Sequence, residues 1–175
     1  MAATKVIHGW VLAETDDAEA RLAQIREGLA AWKATGAGFC VPYFLGLQAE
    51  AQARAGQVEE GLDRLIEALT LADMTEERVL QAELHRLRSE LLQMVPGCDP
   101  ARVEASLRCA MTVAHSQGAR LWELRAAMSL ARLWRDQGKP QQAHELLAPI
   151  YGWFTEGFDT LDLKEAKALL EQLAT

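Results

Sequence analysis

The chain has 175 residues and a formal net charge of −7, with 50% apolar and 25% charged residues. This balance is typical of a folded globular domain and excludes a disordered chain. The acidic charge argues against nucleic acid as a partner, because phosphate binding needs a dominant basic face.

Helical periodicity runs along almost the whole chain, and glycine or proline marks most of the interruptions. In the clearest loop, residues 96–100, Asp99 is placed as a helix N-cap and Pro100 at the first helical position. Asp16 and Asp17 are predicted to cap the second helix and to complement its dipole. The predicted helices are 3–14, 17–34, 42–55, 58–73, 76–94, 100–117, 120–137, 140–151 and 163–173.

Small residues recur along these helices at nearly constant spacing. One row has steps of 40, 40 and 42 residues, and a second row follows it 19 to 21 residues later. Paired small positions at a fixed period are typical of stacked helical hairpins, because two helices approach closely only where side chains are short. The first row is Gly9, Ala49, Ser89 and Ala131, and the second is Gly28, Ala68, Ala110 and Ile150. We therefore expect one domain over 1–175, with hairpins at about 1–36, 42–74, 76–118 and 120–154.

The ninth predicted helix differs from the others because it is apolar on one side only, as a capping helix at about 162–174 requires. Asp162 and Glu165 form a capping-box pattern at its start. Its apolar face is predicted to pack on a cluster made of Tyr151, Trp153, Phe154 and Phe158. The N-terminus shows no equivalent cap, so the chain is expected to be a fragment of a larger protein.

The small-apolar-small patterning, with Gly56 at a turn and Gly61 or Ala143 opening a second helix, resembles tetratricopeptide repeats. The period is about 40 residues rather than the usual 34, so the helices are longer than standard by roughly a turn. The resemblance implies an all-α fold, a right-handed α-α superhelix of four hairpins plus the C-terminal capping helix.

Residues 42–45, 124–134 and 147–160 resemble the C-terminal repeat region of large bacterial signalling proteins. Those proteins carry an adenylate or guanylate cyclase domain and an ATPase domain before the repeats. The sequence has no Gly-x-x-x-x-Gly-Lys-Ser/Thr phosphate loop and no segment matching the metal-binding aspartates of a cyclase. The resemblance therefore implies a non-catalytic regulatory module, not an enzyme.

Histidine and cysteine give no metal or catalytic pattern. No two of His8, His85, His115 and His144 are three or four residues apart, so we interpret them as solvated surface side chains. Of the three cysteines, Cys40 is predicted in a loop and Cys109 as a buried small hydrophobe. No cofactor is expected. An odd, sparse cysteine set without a signal peptide or membrane span favours the cytoplasm.

In the resembled repeats, ligands bind a concave groove lined by fixed positions of the first helix of each hairpin. Carried over to this sequence, the positions are Trp10, Tyr43, Glu50, Arg54, Glu83, Arg86, Glu90, Arg125, Met128, Arg132 and Arg135. Arginines 125, 132 and 135 form a basic strip that could hold a carboxylate or phosphate. The alternative is that they are solvated and bonded to neighbouring Glu123, Asp136 or Glu145.

The leading hypothesis for function is a protein-interaction or regulatory module that binds a peptide or an adjacent domain of the parent protein in this groove. Homodimerisation of the parent's catalytic domains and small-molecule sensing are the alternatives. Neither nucleic acid nor a membrane is expected as a partner. The sequence does not identify the partner.

Overall fold

The computed structural model describes residues 2–11 and 18–174, with side chains for 2–8 and 18–174. The predicted caps Asp16 and Asp17 lie outside the described residues. Every regular element in the described part of the chain is an α-helix, as predicted. The helices are α1 (Ala2–Val11), α2 (Ala18–Ala34), α3 (Val41–Arg54), α4 (Val58–Thr75), α5 (Gln81–Met94), α6 (Pro100–Ser116), α7 (Arg120–Asp136), α8 (Pro140–Tyr151) and α9 (Leu161–Leu173).

Consecutive helices pack as four hairpins, α1 on α2, α3 on α4, α5 on α6 and α7 on α8. The first helices also contact one another in succession, from α1 to α3, α5 and α7. This contact places them in the inner layer of a right-handed superhelix, with the second helices outside. The inner faces of α3, α5 and α7 therefore form the concave surface.

The rows of small residues lie where the helices of a hairpin meet. Ala49, Ser89 and Ala131 are completely buried, and so are Ala68 and Ala110 in the second row. Close approach depends on glycine as well, because a Cβ on Gly61 would lie 2.9 Å from the Ala49 carbonyl oxygen. Ile150 is only half-buried.

Most helix ends match the sequence prediction, but α5 begins five residues later than expected. The Glu76 backbone is left-handed, with φ at 57°, and this conformation ends α4. Residues 77–80 link α4 to α5, with a turn at Val79 and Leu80, and Leu80 is the N-cap of α5. The prediction for Asp99 is confirmed, since its side chain accepts a hydrogen bond of 2.9 Å from the Ala101 N–H.

Helix α9 covers the last hairpin and takes the place of the first helix of a further hairpin. It contacts α8 and α7, as α7 contacts α6 and α5. Four apolar side chains along one face are buried, whereas Leu161 is 73% exposed. The buried ones are Leu163, Ala166, Leu169 and Leu173.

The predicted capping box at the start of α9 is wrong. Thr160 is the N-cap, and its hydroxyl donates to the Gly157 carbonyl oxygen. Asp162 and Glu165 lie inside the helix and pair with arginines of α7 instead. A charged pair with an arginine more than thirty residues away competes better for these carboxylates than the helix terminus does.

The aromatic cluster beside α9 is confirmed in part. Tyr151 and Phe154 pack against the core formed by α7, α8 and α9, but Trp153 and Phe158 are about half exposed. The prediction that Cys109 is buried is wrong, because Ala110 points inward at this turn of α6 and Cys109 faces solvent.

Candidate interaction surface on the concave face

Two adjoining cavities on the concave face contain most of the sequence-predicted contact residues. The leucine cavity, of about 150 Å³, is lined by Tyr43, Gly46, Leu47, Glu50, Leu80, Glu83, Leu84, Leu87, Trp122 and Arg125. The arginine cavity, of about 250 Å³, is lined by Arg86, Glu90, Arg125, Met128, Ser129, Arg132, Asp162 and Glu165. Arg125 lines both cavities, so they form one continuous surface across α3, α5, α7 and α9.

The apolar lining of the leucine cavity comes from α3 and α5. Leu47, Leu84 and Leu87 are buried in the core between these helices. Gly46 lets α5 approach α3 here, because a Cβ on it would lie 2.7 Å from Leu84 Cδ2. Tyr43 stands at the side, where burial and the Glu50 carboxylate raise the pKa of its phenol. The cavity therefore has an apolar lining with a polar margin.

Arg86 is held by two carboxylates of its own helix. Its Nε and Nη2 donate to the two oxygens of Glu83, each over 2.7 Å, and its Nη1 donates to Glu90. Burial opposes the charge, but the hydrogen bonds and charges of Glu83 and Glu90 outweigh it and raise the pKa of Arg86. Together, Arg86, Glu83 and Glu90 carry a net charge of −1.

The basic strip of α7 is paired with α9. Arg125 donates from Nε and Nη2 to the two oxygens of Asp162, each over 2.8 Å, and lies over the Trp122 ring at 5.1 Å. Arg132 donates to Glu165 over 2.9 Å. The hydrogen bonds that Arg125 donates to Asp162 raise the pKa of Arg125 against the opposing effect of burial. Two of the three arginines that the sequence offers to a partner thus already hold a carboxylate.

The third arginine, Arg135, bonds to Asp136 and to Gln172 of α9, each over 3.0 Å. Of the neighbours proposed from sequence as alternative partners, Asp136 is confirmed. Glu123 is a wrong choice, because it is buried and accepts hydrogen bonds from Arg120 and His115. Glu145 is also wrong as an arginine partner, since it accepts a hydrogen bond from Gln141.

Other predicted contact residues stand apart from the cavities. Arg54 is exposed and donates to Glu50 over 2.5 Å without lining either cavity. The side chain of Trp10 lies outside the described residues. Conversely, sequence reasoning missed Asp162, Glu165 and Trp122. The available signal was the three-residue spacing of two acids, which puts them on one face of α9.

The described side chains offer no metal site. Across residues 2–8 and 18–174, no three or more His, Cys, Asp and Glu side chains cluster as metal ligands would. His85 departs from the expectation of a solvated histidine, because it is half-buried and its Nδ1 has no hydrogen-bond partner in the described part of the chain. No helix among the described residues is long and apolar enough to cross a membrane.

Comparison with solved structures decides the fold class. Two crystal structures of TPR-like repeats from a kinesin light chain-like protein of Podosopora anserina superpose with TM-scores of 0.70 and 0.69. Their sequence identity to this chain is 14% and 15%, and each match covers 98% of this chain and 92% of the other. The fold is a TPR-like superhelix. This confirms the predicted fold class.

Comparison of sequences, unlike comparison of structures, identifies no family for this TPR-like chain. No family model matches it. An uncharacterized protein of Rhizobium meliloti (strain 1021) is 32% identical over 125 residues, a match that covers 71% of this chain. The chain covers only 12% of the length of that protein. Neither comparison supports the resemblance to cyclase–ATPase signalling proteins, which stays a prediction.

Proposed function

We propose that this chain is a non-catalytic interaction module that holds a peptide segment or an adjacent domain against its concave surface. The observation that carries the proposal is the pair of adjoining cavities, which share Arg125 and span α3, α5, α7 and α9. The stacked hairpins preform this surface, so binding orders few side chains and the entropic cost of association stays low.

The charged side chains on this surface are paired with one another within the chain. Arg86 is held by Glu83 and Glu90, Arg125 by Asp162 and Arg132 by Glu165. Ion pairs fixed in this way favour discrimination between partners over raw affinity. A partner would therefore have to match this arrangement of charges.

Self-association is a second candidate, favoured by apolar side chains exposed at the turns between hairpins. Phe39, Met74 and Val79 are each at least 70% exposed. Near them an open groove of about 520 Å³ lies between the turn at residues 36–38 and α4. Light scattering over a dilution series tests this candidate, and a constant monomer mass would remove it.

Small-molecule binding on the concave surface is disfavoured by the size of its cavities. Pockets for drug-sized ligands span about 300–1,000 Å³ and are largely enclosed. The volume of the leucine cavity is about half the lower limit of this range. The groove near residues 36–38, of about 520 Å³, reaches that size but is open rather than enclosed.

A wider role is proposed from the residues alone. Segments 124–134 and 147–160 resemble repeats of bacterial cyclase–ATPase signalling proteins, which supports a cytoplasmic regulatory role within such a parent protein.

Photo-crosslinking tests where a partner binds. The chain carries p-benzoylphenylalanine in place of Trp122, beside the leucine cavity, and is exposed to phage-displayed random dodecapeptides. A matched chain carries the same group at Ile66, which is 53% exposed on the outer helix α4. We expect crosslinks at position 122 and few at 66. Selected peptides that crosslink equally at both positions, or a library with no binders, would overturn the proposal.

Charge reversal of Arg125 and Arg132 would be a poor test of this surface. Glutamate at these positions would face Asp162 and Glu165, and the repulsion would loosen α9 and lower the melting temperature. Lost binding would then not distinguish lost contacts from a displaced helix.

A further inference from the structure

The volume of the leucine cavity matches one apolar side chain. It measures about 150 Å³, and an apolar cavity of that size lined by similar residues holds a benzene-sized group. Leu47, Leu84 and Leu87 supply buried apolar surface, and Tyr43 and Trp122 stand at the side. A leucine, methionine or phenylalanine side chain of a partner would fill this space, whereas a whole helix would not.

The charges around the cavities select against an acidic partner. Five carboxylates and three guanidinium groups line the two cavities in the described part of the chain. All three guanidinium groups already bind carboxylates of this chain. An incoming carboxylate would have to displace Asp162 from both of its hydrogen bonds to Arg125. Such an exchange gains no net ion pair.

A cationic partner, by contrast, is attracted by the carboxylates of this surface. Glu50 and Glu83 line the leucine cavity itself, and Glu90 lies on the next stretch of the same surface. Glu50 pairs with Arg54, and Glu83 and Glu90 share Arg86, so these three carboxylates exceed their two guanidinium partners by one negative charge. A lysine or arginine brought alongside adds a favourable interaction with this carboxylate excess and breaks none of the existing pairs. The pairing of the arginines with α9 is therefore what gives the concave surface its acidic character.

We infer that the leucine cavity receives a single apolar side chain of a partner peptide, and that the carboxylates around it select a lysine or arginine next to this anchor. The inference rests on the proposed function and names the class of partner. Of the two alternatives that the sequence left open for the arginine strip, it sets aside the capture of a carboxylate or phosphate.

Three pools of fluorescent nonapeptides test the inference on the full chain. In the first pool, leucine at the centre is followed by lysine, and in the second it is followed by glutamate. In the third, serine replaces leucine and the lysine is kept. All other positions are equal mixtures of alanine, glycine, serine and glutamine.

We expect the leucine–lysine pool to bind at least about tenfold more tightly than the serine–lysine pool, because the free energy of burying a leucine side chain corresponds to at least that difference in affinity. The leucine–glutamate pool should bind severalfold more weakly than the leucine–lysine pool. Equal binding of all three pools, or a preference for glutamate, would overturn the inference but leave the proposed function standing. If no pool binds, the proposed function fails with it.

Two pairs of variants test the named residues. Leu80→Trp places a large ring at the margin of the leucine cavity, and Val79→Trp places the same ring on the neighbouring residue, which is 73% exposed and does not line the cavity. We expect at least about tenfold weaker binding of the leucine–lysine pool by L80W, with V79W unchanged. Unaltered binding by a folded L80W would contradict the anchor.

Glu50→Gln tests the selection for a cation, and Glu104→Gln is its control. Both carboxylates pair with an arginine four residues later, and their side chains are similarly exposed, at 22% and 24%. Glu104 lies on α6, away from both cavities. E50Q should lose most of the preference for lysine over glutamate, and E104Q should keep it. The same preference in both variants would contradict the role of Glu50.

Discussion

Gly61→Ala is the sharpest test of how the hairpins pack. A Cβ at this position would lie 2.8 Å from Leu91 Cδ2 and 2.9 Å from the Ala49 carbonyl oxygen. The leucine side chain can move aside, but the carbonyl belongs to the backbone of α3, so the two helices must separate. Overpacking of this kind costs about 1–3 kcal/mol. Alanine regains up to about 1 kcal/mol of helix propensity, which leaves a net loss of about 1 kcal/mol.

Urea unfolding followed by circular dichroism measures this loss. Gly38→Ala is the matched control, because its Cβ would meet nothing within 4 Å and its φ is not positive. We expect G38A to be unchanged or slightly more stable, through the lower entropy of the unfolded chain. If G61A is as stable as G38A, the close contact of α3 and α4 is not as described.

Three further predictions concern ion pairing, pH and thiol reactivity. A double-mutant cycle of Arg125→Gln and Asp162→Asn should give a coupling of about 0.5–1 kcal/mol, discounted because both side chains are partly exposed. Burial and the charge of Arg88 lower the pKa of His85 below its usual 6.5, against the opposing effect of Asp73. The free energy of unfolding should therefore fall as the pH drops below 6.5, and it should fall less in His85→Gln. With a thiol-reactive dye, exposed Cys109 should react first and Cys40 slowly, because burial and Glu77 raise the pKa of the Cys40 thiol.

Each of these predictions has a result that contradicts it. A coupling near zero would mean that α9 does not hold Arg125. The pH prediction is wrong if the unfolding free energies of wild type and H85Q run parallel between pH 7.5 and 5. The sign follows because the unfolded chain takes up a proton near pH 6.5 that the folded chain still refuses. Equal labelling rates would contradict the raised pKa of the Cys40 thiol.

The sequence was sufficient to predict the helices because their apolar positions and turn residues are local signals. Asp99 with Pro100 marked the start of α6 correctly. The start of α5 was missed because Val79 and Leu80 continue the apolar pattern of a helix across residues that form a turn. The left-handed backbone of Glu76, which ends α4, leaves no mark in the residue types, since left-handed residues are more often glycine or asparagine.

Only those residues of the candidate site that occupy fixed positions in the repeats could be predicted from the sequence. Register placed Tyr43, Glu50 and Arg125 on one surface, and the structure brings all three to the leucine cavity. Register could not show that Asp162 and Glu165 pair with α7, because contacts between distant helices depend on packing rather than on local spacing. Local rules placed these acids in a capping box, and so the partners proposed for the basic strip were sought among its sequence neighbours Glu123, Asp136 and Glu145.

The most direct test of the central claim is methyl NMR on protein labelled at its leucine, valine and methionine methyl groups and bound to a single peptide from the leucine–lysine pool. We predict nuclear Overhauser contacts between the leucine side chain of the peptide and the methyl groups of Leu84 and Leu87. Contacts to Met74 or Val79 at the turns between hairpins, with none to Leu84 or Leu87, would contradict the account.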